Sequence, residues 1–158
     1  MRSRAALWSS FERSLSLITV ALLLGVPGLR KLPGPYPPGW FVKKFDGTLI
    51  DLFPGALTAA FALITVAEVV VPILCLVALA RGQARARGPD DEGPPTAADL
   101  AFAGAALLLL ALTFGSLVAQ DYDNAFHDFG YLVGVLYLRH RAFPSREPKM
   151  PASGGRSA

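Results

Sequence analysis

A single carboxyl group interrupts the longest apolar run of this sequence. Residues 53–80 contain no charged side chain except Glu68, in the stretch LITVAEVVVPILCL. An ionisable side chain at the centre of an apolar membrane helix costs about 2.5–3.5 kcal/mol on insertion scales, so such residues face protein or water and are candidates for function. We expect Glu68 to point inward and to bind a proton, a cation or a polar ligand. The alternative is a neutral glutamic acid that ties two helices together through a hydrogen bond.

Pro72 adds a second polar group at the same place. It follows Glu68 by four residues and has no amide hydrogen, so the carbonyl of Glu68 loses its usual helix partner. Residues three, four or seven positions away share a helix face with Glu68. On this face the sequence places Phe61, Ile64, Thr65, Val71, Pro72 and Cys75. The prediction is a carboxyl group and a free carbonyl that both face the interior of a helical bundle.

Charged residues at the ends of two other apolar segments are the predicted partners of Glu68. Arg30 and Lys31 close the first segment, and His127 and Asp128 lie at the start of the last one. In a chain with four spans, both pairs fall on the same side of the membrane. Glu68, Lys31, Arg30, His127 and Asp128 therefore form the predicted polar site. As alternatives, Arg30 and Lys31 extend to the lipid interface, and His127 is simply hydrated.

Metal and thiol chemistry receive no support from the sequence. His127 and His140 stand at opposite ends of the last apolar segment, too far apart to share a metal ion. Cys75 is the only cysteine, so the chain has neither an internal disulfide nor a dithiol pair. We expect no metal site.

The composition indicates which elements position these residues. Of 158 residues, 53% are hydrophobic and 17% charged, and the mean hydropathy is positive, which is typical of a membrane protein. Apolar periodicity predicts helices at about residues 11–30, 55–80, 98–120 and 125–140. Spanning about 30 Å of hydrocarbon takes about 20 residues, which the second and third segments provide outright. The predicted fold is an all-α, integral membrane four-helix bundle that occupies residues 1–143.

The two shorter segments need additional arguments. The first has the length of a signal-peptide core, but Pro27, Arg30 and Lys31 occupy the place of a cleavage site, so we expect it to remain as a helix. The last is flanked by aromatic and basic residues, as at a membrane interface. Its GYLVG motif, with Gly130 and Gly134, predicts the close approach of a neighbouring helix.

Basic residues predict the orientation. Eleven of the 15 lysines and arginines fall before the first helix, between the second and third, or after the fourth, and only four fall on the other side. The positive-inside rule then places both termini in the cytoplasm of a multi-pass protein of the plasma membrane, which in bacteria is the cell inner membrane. Because basic residues at membrane edges account for the net charge of +3, we expect lipid rather than nucleic acid as the partner.

The connections are of two kinds. Residues 81–97 are rich in Gly, Pro and charge and predict a flexible cytoplasmic linker, and residues 144–158 predict a disordered tail. Thr96 and Asp99 have the spacing of a capping pair. The first outer loop contains WFVKKFDGTLIDLF, an amphipathic segment that lies along the interface or folds over the bundle as a lid. Its apolar side comprises Phe41, Phe45, Leu49 and Leu52.

Several of these features resemble the DoxX family of small four-helix membrane proteins, over roughly Leu15 to Arg141. The resemblance rests on GLRK at the end of the first helix, WFVKKFDG in the outer loop, Glu68 in the second helix and Arg81 after it. The chain departs from the family in its VVVP after Glu68, where glycines are common, and in its long linker. The family pattern carries over Gly28, Lys31 and Glu68, without a catalytic role.

Two classes of function remain open. DoxX-like proteins are similar to the DoxD subunit of a membrane thiosulfate:quinone oxidoreductase, and some are associated with redox-protective complexes. The resemblance thus implies a subunit of a membrane redox or quinone-linked assembly, with a polar site between helices, a quinone as the ligand and other membrane redox subunits as partners. The alternative is a non-enzymatic membrane helper or a small transporter that uses the same inward polar face.

Overall fold

The computed structural model describes residues 4–83 and 94–143, and these ranges contain helices and turns but no strand. The prediction of an all-α fold is therefore confirmed for the described residues. Most of the predicted linker and the whole predicted tail lie outside them. The helices are α1 (Arg4–Lys31), α2 (Gly39–Phe45), α3 (Ala56–Ala80), α4 (Ala97–Val118) and α5 (Tyr122–Ala142).

Three of the helices are long and apolar enough to cross a membrane. They are the segment Leu7–Lys31 of α1, the whole of α3 and the whole of α4. Their large apolar side chains point outward as well as inward: Leu63 is 72% exposed and Leu107 is 69% exposed. A soluble protein rarely exposes apolar surface on this scale, whereas lipid covers it without cost. The structure thus supports a transmembrane protein.

The four long helices contact one another in the order α1, α3, α4, α5 and back to α1, and α2 packs on α3. Their shared core is built from small and medium apolar side chains. Ala98, Ala101 and Ala105 are fully buried on one face of α4, which lets its neighbours approach closely. Other buried members are Leu17, Val20 and Leu24 of α1, Val71, Cys75 and Ala78 of α3, and Leu132 and Val135 of α5.

Helix α1 begins earlier than predicted. It starts at Arg4 rather than at about residue 11. Glu12 and Arg13 lie inside the helix, as predicted, and both are bound near the carboxyl end of α5. The Arg13 Nε donates to the carbonyl of Ala142 at 2.7 Å, and Glu12 pairs with Arg141 at 3.1 Å. Arg13 also stacks over the Phe143 ring. These contacts join the amino-terminal half of α1 to the end of α5.

Glycines bring α1 and α3 together. A Cβ on Gly28 would lie 2.9 Å from both the Cβ and the carbonyl oxygen of Glu68, and a Cβ on Gly25 would lie 3.3 Å from the Pro72 ring. The predicted close approach at Gly130 and Gly134 is wrong for the described residues, because nothing lies within 4 Å of a Cβ at either position. These two glycines are exposed, since α5 turns the face of Leu132 and Val135 toward the core instead.

Helix α2 is shorter than the predicted amphipathic segment. Phe41 and Phe45 are buried against Phe61 of α3, as the helical spacing predicts. The helix ends at Phe45, and Gly47 adopts a left-handed φ of 69° that breaks the periodicity. Leu49 and Leu52, predicted on the same apolar side, are therefore each 71% exposed.

Capping interactions fix where α4 begins. The predicted pair of Thr96 and Asp99 is confirmed as a capping box, in which each side chain accepts a hydrogen bond from the other residue's amide. Gln83, just after α3, accepts a further hydrogen bond from the Ala98 amide at 3.2 Å. The last residues described before the gap at 84–93 thus contact the first turn of α4.

Candidate functional site

An ion pair between α1 and α3 lies at the centre of the site. Lys31 Nζ donates to Glu68 Oε1 at 2.6 Å, and the two side chains are 18% and 3% exposed. Gly28 and Lys31 stand three residues apart on one helix face, which explains the GLRK spacing. Gly28 lets the backbones approach, and Lys31, the last residue of α1, reaches the carboxylate from the helix end.

The second oxygen of the same carboxylate is unsatisfied. Glu68 Oε2 is fully buried and has no hydrogen-bond partner among the described residues. Buried polar atoms are almost always paired, and an unpaired charged acceptor is costly. This oxygen is therefore the feature of the site that most clearly calls for a ligand.

The free carbonyl of Glu68 does not serve the site as predicted. Its oxygen lies in the contact between α1 and α3, since it is 2.9 Å from the position of a Cβ on Gly28. The removal of a hydrogen bond by Pro72 thus loosens α3 where Gly28 of α1 packs against it. Cys75, one turn further on, is fully buried in the apolar core.

A cavity of about 350 Å³ extends from the ion pair toward α2, α4 and α5. Its volume is in the range of sites that hold small organic ligands. Apolar side chains form most of its wall, and α2 contributes Trp40, Phe41 and Phe45. Helix α2 thus forms part of the cavity wall. The remaining apolar lining includes Leu23, Leu24, Pro27, Ile64, Leu109 and Leu112.

A second polar cluster also lines the cavity. Lys44 of α2 pairs with Asp121 at 2.8 Å and donates to Ser116 Oγ at 3.4 Å. Ser116 in turn donates to Asp128 Oδ2 at 3.3 Å. Hydrogen bonds from Lys44 and Asn124 lower the pKa of Asp121 to about 2. These bonds fasten α2 to the end of α4 and the start of α5.

The structure brings together three of the five residues predicted for the site. Lys31, Glu68 and Asp128 line one cavity. Arg30 and His127 do not line it: both are exposed, and the His127 ring nitrogen Nδ1 bonds the carbonyl of Asp123 on its own helix at 2.7 Å. Each is one residue from a lining residue, and one residue turns a helix by 100°, away from the cavity.

Lys44, Ser116 and Asn124 are polar residues of the cavity wall that were not predicted from the sequence. Lys44 follows Phe41 by three residues and so lies near the buried side of α2, a spacing that could have identified it. Ser116 had no such signal, because a serine in an apolar helix usually bonds its own backbone. Among residues 4–83 and 94–143, no group of three His, Cys, Asp or Glu side chains could hold a metal ion.

Fold and site together define a class: among the described residues, an all-helical protein with three helices long and apolar enough to cross a membrane and a mostly apolar cavity that two polar clusters line. Comparison of the chain with protein-family models, with curated proteins and with solved structures finds no match in any of the three.

Proposed function

We propose that the protein is a DoxX-like integral membrane protein, a subunit of a membrane redox or quinone-linked assembly, and that its cavity binds the head group of a quinone. In this proposal α1, α3, α4 and α5 form a four-helix bundle across the plasma membrane, with both termini in the cytoplasm. The partners are lipid and other membrane redox subunits.

The fourth span is α5. Its 21 residues reach about 32 Å, enough for the hydrocarbon core. Asp128 lines the cavity, so it need not contact lipid, and the basic cluster Arg139, His140 and Arg141 falls at the end of the helix, where such side chains reach the interface.

The observation that carries the functional proposal is a buried ion pair at the wall of an apolar, aromatic-lined cavity. The Lys31 ammonium, 2.6 Å from Glu68, is a polar anchor inside a membrane segment. Most of the remaining wall consists of aromatic rings and branched aliphatic side chains, which suit a planar head group and the start of a lipid tail. By the predicted orientation the cavity lies in the outer half of the membrane, where a lipid-soluble ligand has access.

Trp40 makes binding measurable. The chain has two tryptophans, and only Trp40 lines the cavity. In a Trp8→Phe protein, decylubiquinone is expected to quench the fluorescence of Trp40 saturably. Ile64→Phe fills the cavity and should weaken binding at least about tenfold. Leu63→Phe makes a similar change on the neighbouring, 72% exposed position and should leave binding unchanged.

Two results would count against this function. One is quenching that does not saturate, or that both substitutions affect equally. The other is ion- or pH-driven uptake by the purified protein in liposomes without quinone binding, which would favour the helper or transporter alternative.

A further inference from the structure

We propose that the cavity selects amphiphiles whose head group donates a hydrogen bond, so that it holds a hydroquinone in preference to the corresponding quinone. The choice of quinones rests on the proposed function. The preference for a donor rests on the hydrogen bonds of the cavity itself.

The charged donors of the cavity each bond a carboxylate, and Lys31 keeps N–H groups for a ligand oxygen. Lys31 bonds Glu68 at 2.6 Å, and Lys44 bonds Asp121 at 2.8 Å. Ser116 donates to Asp128. Asn124, also on the cavity wall, donates its side-chain amide to Asp121 at 2.6 Å. Each lysine charge is thus compensated by a carboxylate, and an anionic head group gains little.

The two other ring or hydroxyl donors on the wall belong to Trp40 and Tyr131, which are 57% and 48% exposed. Lipid head groups or water can form hydrogen bonds with such exposed donors, so Trp40 and Tyr131 contribute only a weak preference for an acceptor in the ligand. The strong preference for one kind of ligand comes from a polar group that is shielded from solvent.

That group is an acceptor. Glu68 is 3% exposed, and its Oε2 has no partner among the described residues. Lys31, 2.6 Å away, favours the charged form of this carboxyl group, and a carboxylate can only accept hydrogen bonds. A hydroxyl in the cavity would satisfy Oε2. A carbonyl or ether oxygen can accept from Lys31, but it has no hydrogen to donate and leaves Oε2 unpaired.

A hydroquinone and its quinone differ in this property and little else. They have the same ring substituents and the same tail, but the first carries hydroxyl donors and the second only carbonyl acceptors. Hydrogen bonds to charged groups are among the stronger ones in proteins, and we expect the hydroquinone to bind about tenfold more tightly. Tenfold tighter binding of the reduced form would raise the two-electron midpoint potential of the bound couple by about 30 mV.

Two pairs of probes test the inference in the Trp8→Phe protein, with Trp40 fluorescence as the readout. The first pair is 4-nonylphenol and its methyl ether, 4-nonylanisole, which have no redox chemistry and differ only in the donor. The second pair is decylubiquinol and decylubiquinone, under anaerobic conditions. The expected result is about tenfold tighter binding of the hydroxyl form in each pair.

Glu68→Gln identifies the group responsible. An amide can donate as well as accept, so the preference should fall to about twofold or less in both pairs. Glu12→Gln is the matched control: it makes the same chemical change at a residue bound to Arg141, outside the cavity, and should retain the full preference.

The outcomes separate this inference from the proposed function. Equal affinities for nonylphenol and nonylanisole in the otherwise unchanged cavity overturn the preference for donors, whatever the quinone pair shows. A preference in the phenol pair without binding of either quinone form supports the inference and overturns quinone as the ligand. Absence of binding by all four probes overturns both.

Discussion

At the scale of single residues, Glu68 has one satisfied oxygen and one unsatisfied oxygen. Burying an ion pair costs desolvation free energy that the attraction repays only when the remaining hydrogen bonds are also made. Here one is not made, so the pair is a poor device for stability alone. Its position on the wall of a cavity gives it a different purpose, because a ligand can supply the missing bond.

Removing Lys31 alone is expected to destabilise the fold more than removing both Lys31 and Glu68. Lys31→Met leaves a buried, uncompensated carboxylate and should lower the free energy of unfolding by about 3 kcal/mol. The double substitution Lys31→Met with Glu68→Leu should restore most of that loss, since it leaves only apolar groups. Thermal unfolding in a mild detergent measures the stability of both variants. Lys43→Met, at an exposed lysine of α2, is the control. A double variant no more stable than Lys31→Met would show that the ion pair stabilises the fold.

The contact between Lys44 and Asp121 predicts a pH dependence. The pKa of Asp121 is about 2 in the folded protein, below the value of about 3.9 for an unfolded chain. Its contribution to stability is therefore complete above about pH 4 and lost as the pH falls through 2. Asp121→Asn should be less stable than the unsubstituted protein at pH 6 and equally stable near pH 1. A stability difference that does not change over this range would contradict the assignment.

At the scale of helices, the pairing of α1 with α3 depends on Gly28. A Cβ there would lie 2.9 Å from backbone and side-chain atoms of Glu68, so α1 and α3 must move apart in Gly28→Ala. Such overpacking costs about 1–3 kcal/mol and would also lengthen the distance between Lys31 and Glu68. We expect lower thermal stability together with weaker quenching of Trp40 by decylubiquinone.

Gly130→Ala is the matched control for that experiment. Nothing lies within 4 Å of a Cβ at Gly130, and alanine is the better helix former by about 1 kcal/mol. This variant should be as stable as the unsubstituted protein or more so, with unchanged binding. Equal losses in both variants would mean that glycine serves helix flexibility rather than packing at position 28.

The helices show which features the sequence could predict. α3 and α4 were predictable because long apolar runs and a capping pair mark them. The start of α1 at Arg4 was not, because Glu12 and Arg13 interrupt the apolar pattern and their contacts with α5 are not visible in the sequence. The end of α2 has a sequence signal in Gly47, a residue that argues against a continuous helix and here adopts a left-handed φ.

The same limit applies to the site. A charge in an apolar run identified Glu68, and position at a helix end identified Lys31. However, a position at a helix end does not specify where the side chain points, because the side chains of adjacent residues point 100° apart around the helix axis. Arg30 and His127 were predicted on proximity along the chain, and the rotation of their helices turns them outward.

At the scale of the whole molecule, the cavity exists because α1 ends opposite the middle of α3. Lys31 is the last residue of α1, and Glu68 lies about 18 Å along α3 from Ala56, at 1.5 Å per residue. The amino-terminal half of α3 consequently has no α1 beside it. Residues 32–55 occupy that place, where Tyr36, Trp40 and Phe41 pack around Phe61. A short helix cannot fill the space of a long one, and the cavity is what remains.

Orientation across the membrane can be tested with three single cysteines. Cys75, the only native cysteine, is fully buried and should not react. Asp46→Cys and Arg81→Cys place thiols at exposed positions before and after α3, and Ser157→Cys places one after α5.

The positive-inside count predicts that a membrane-impermeant maleimide labels only Asp46→Cys in intact cells, and all three after permeabilisation. In the proposed four-span topology, α3 separates residue 46 from residue 81. Helices α4 and α5 then cross in turn and return residue 157 to the side of residue 81. Labelling of Arg81→Cys and Ser157→Cys but not Asp46→Cys would reverse the orientation. Labelling of Ser157→Cys together with Asp46→Cys would show that α5 does not cross, and Asp128 would then need no protein neighbour to shield it from lipid.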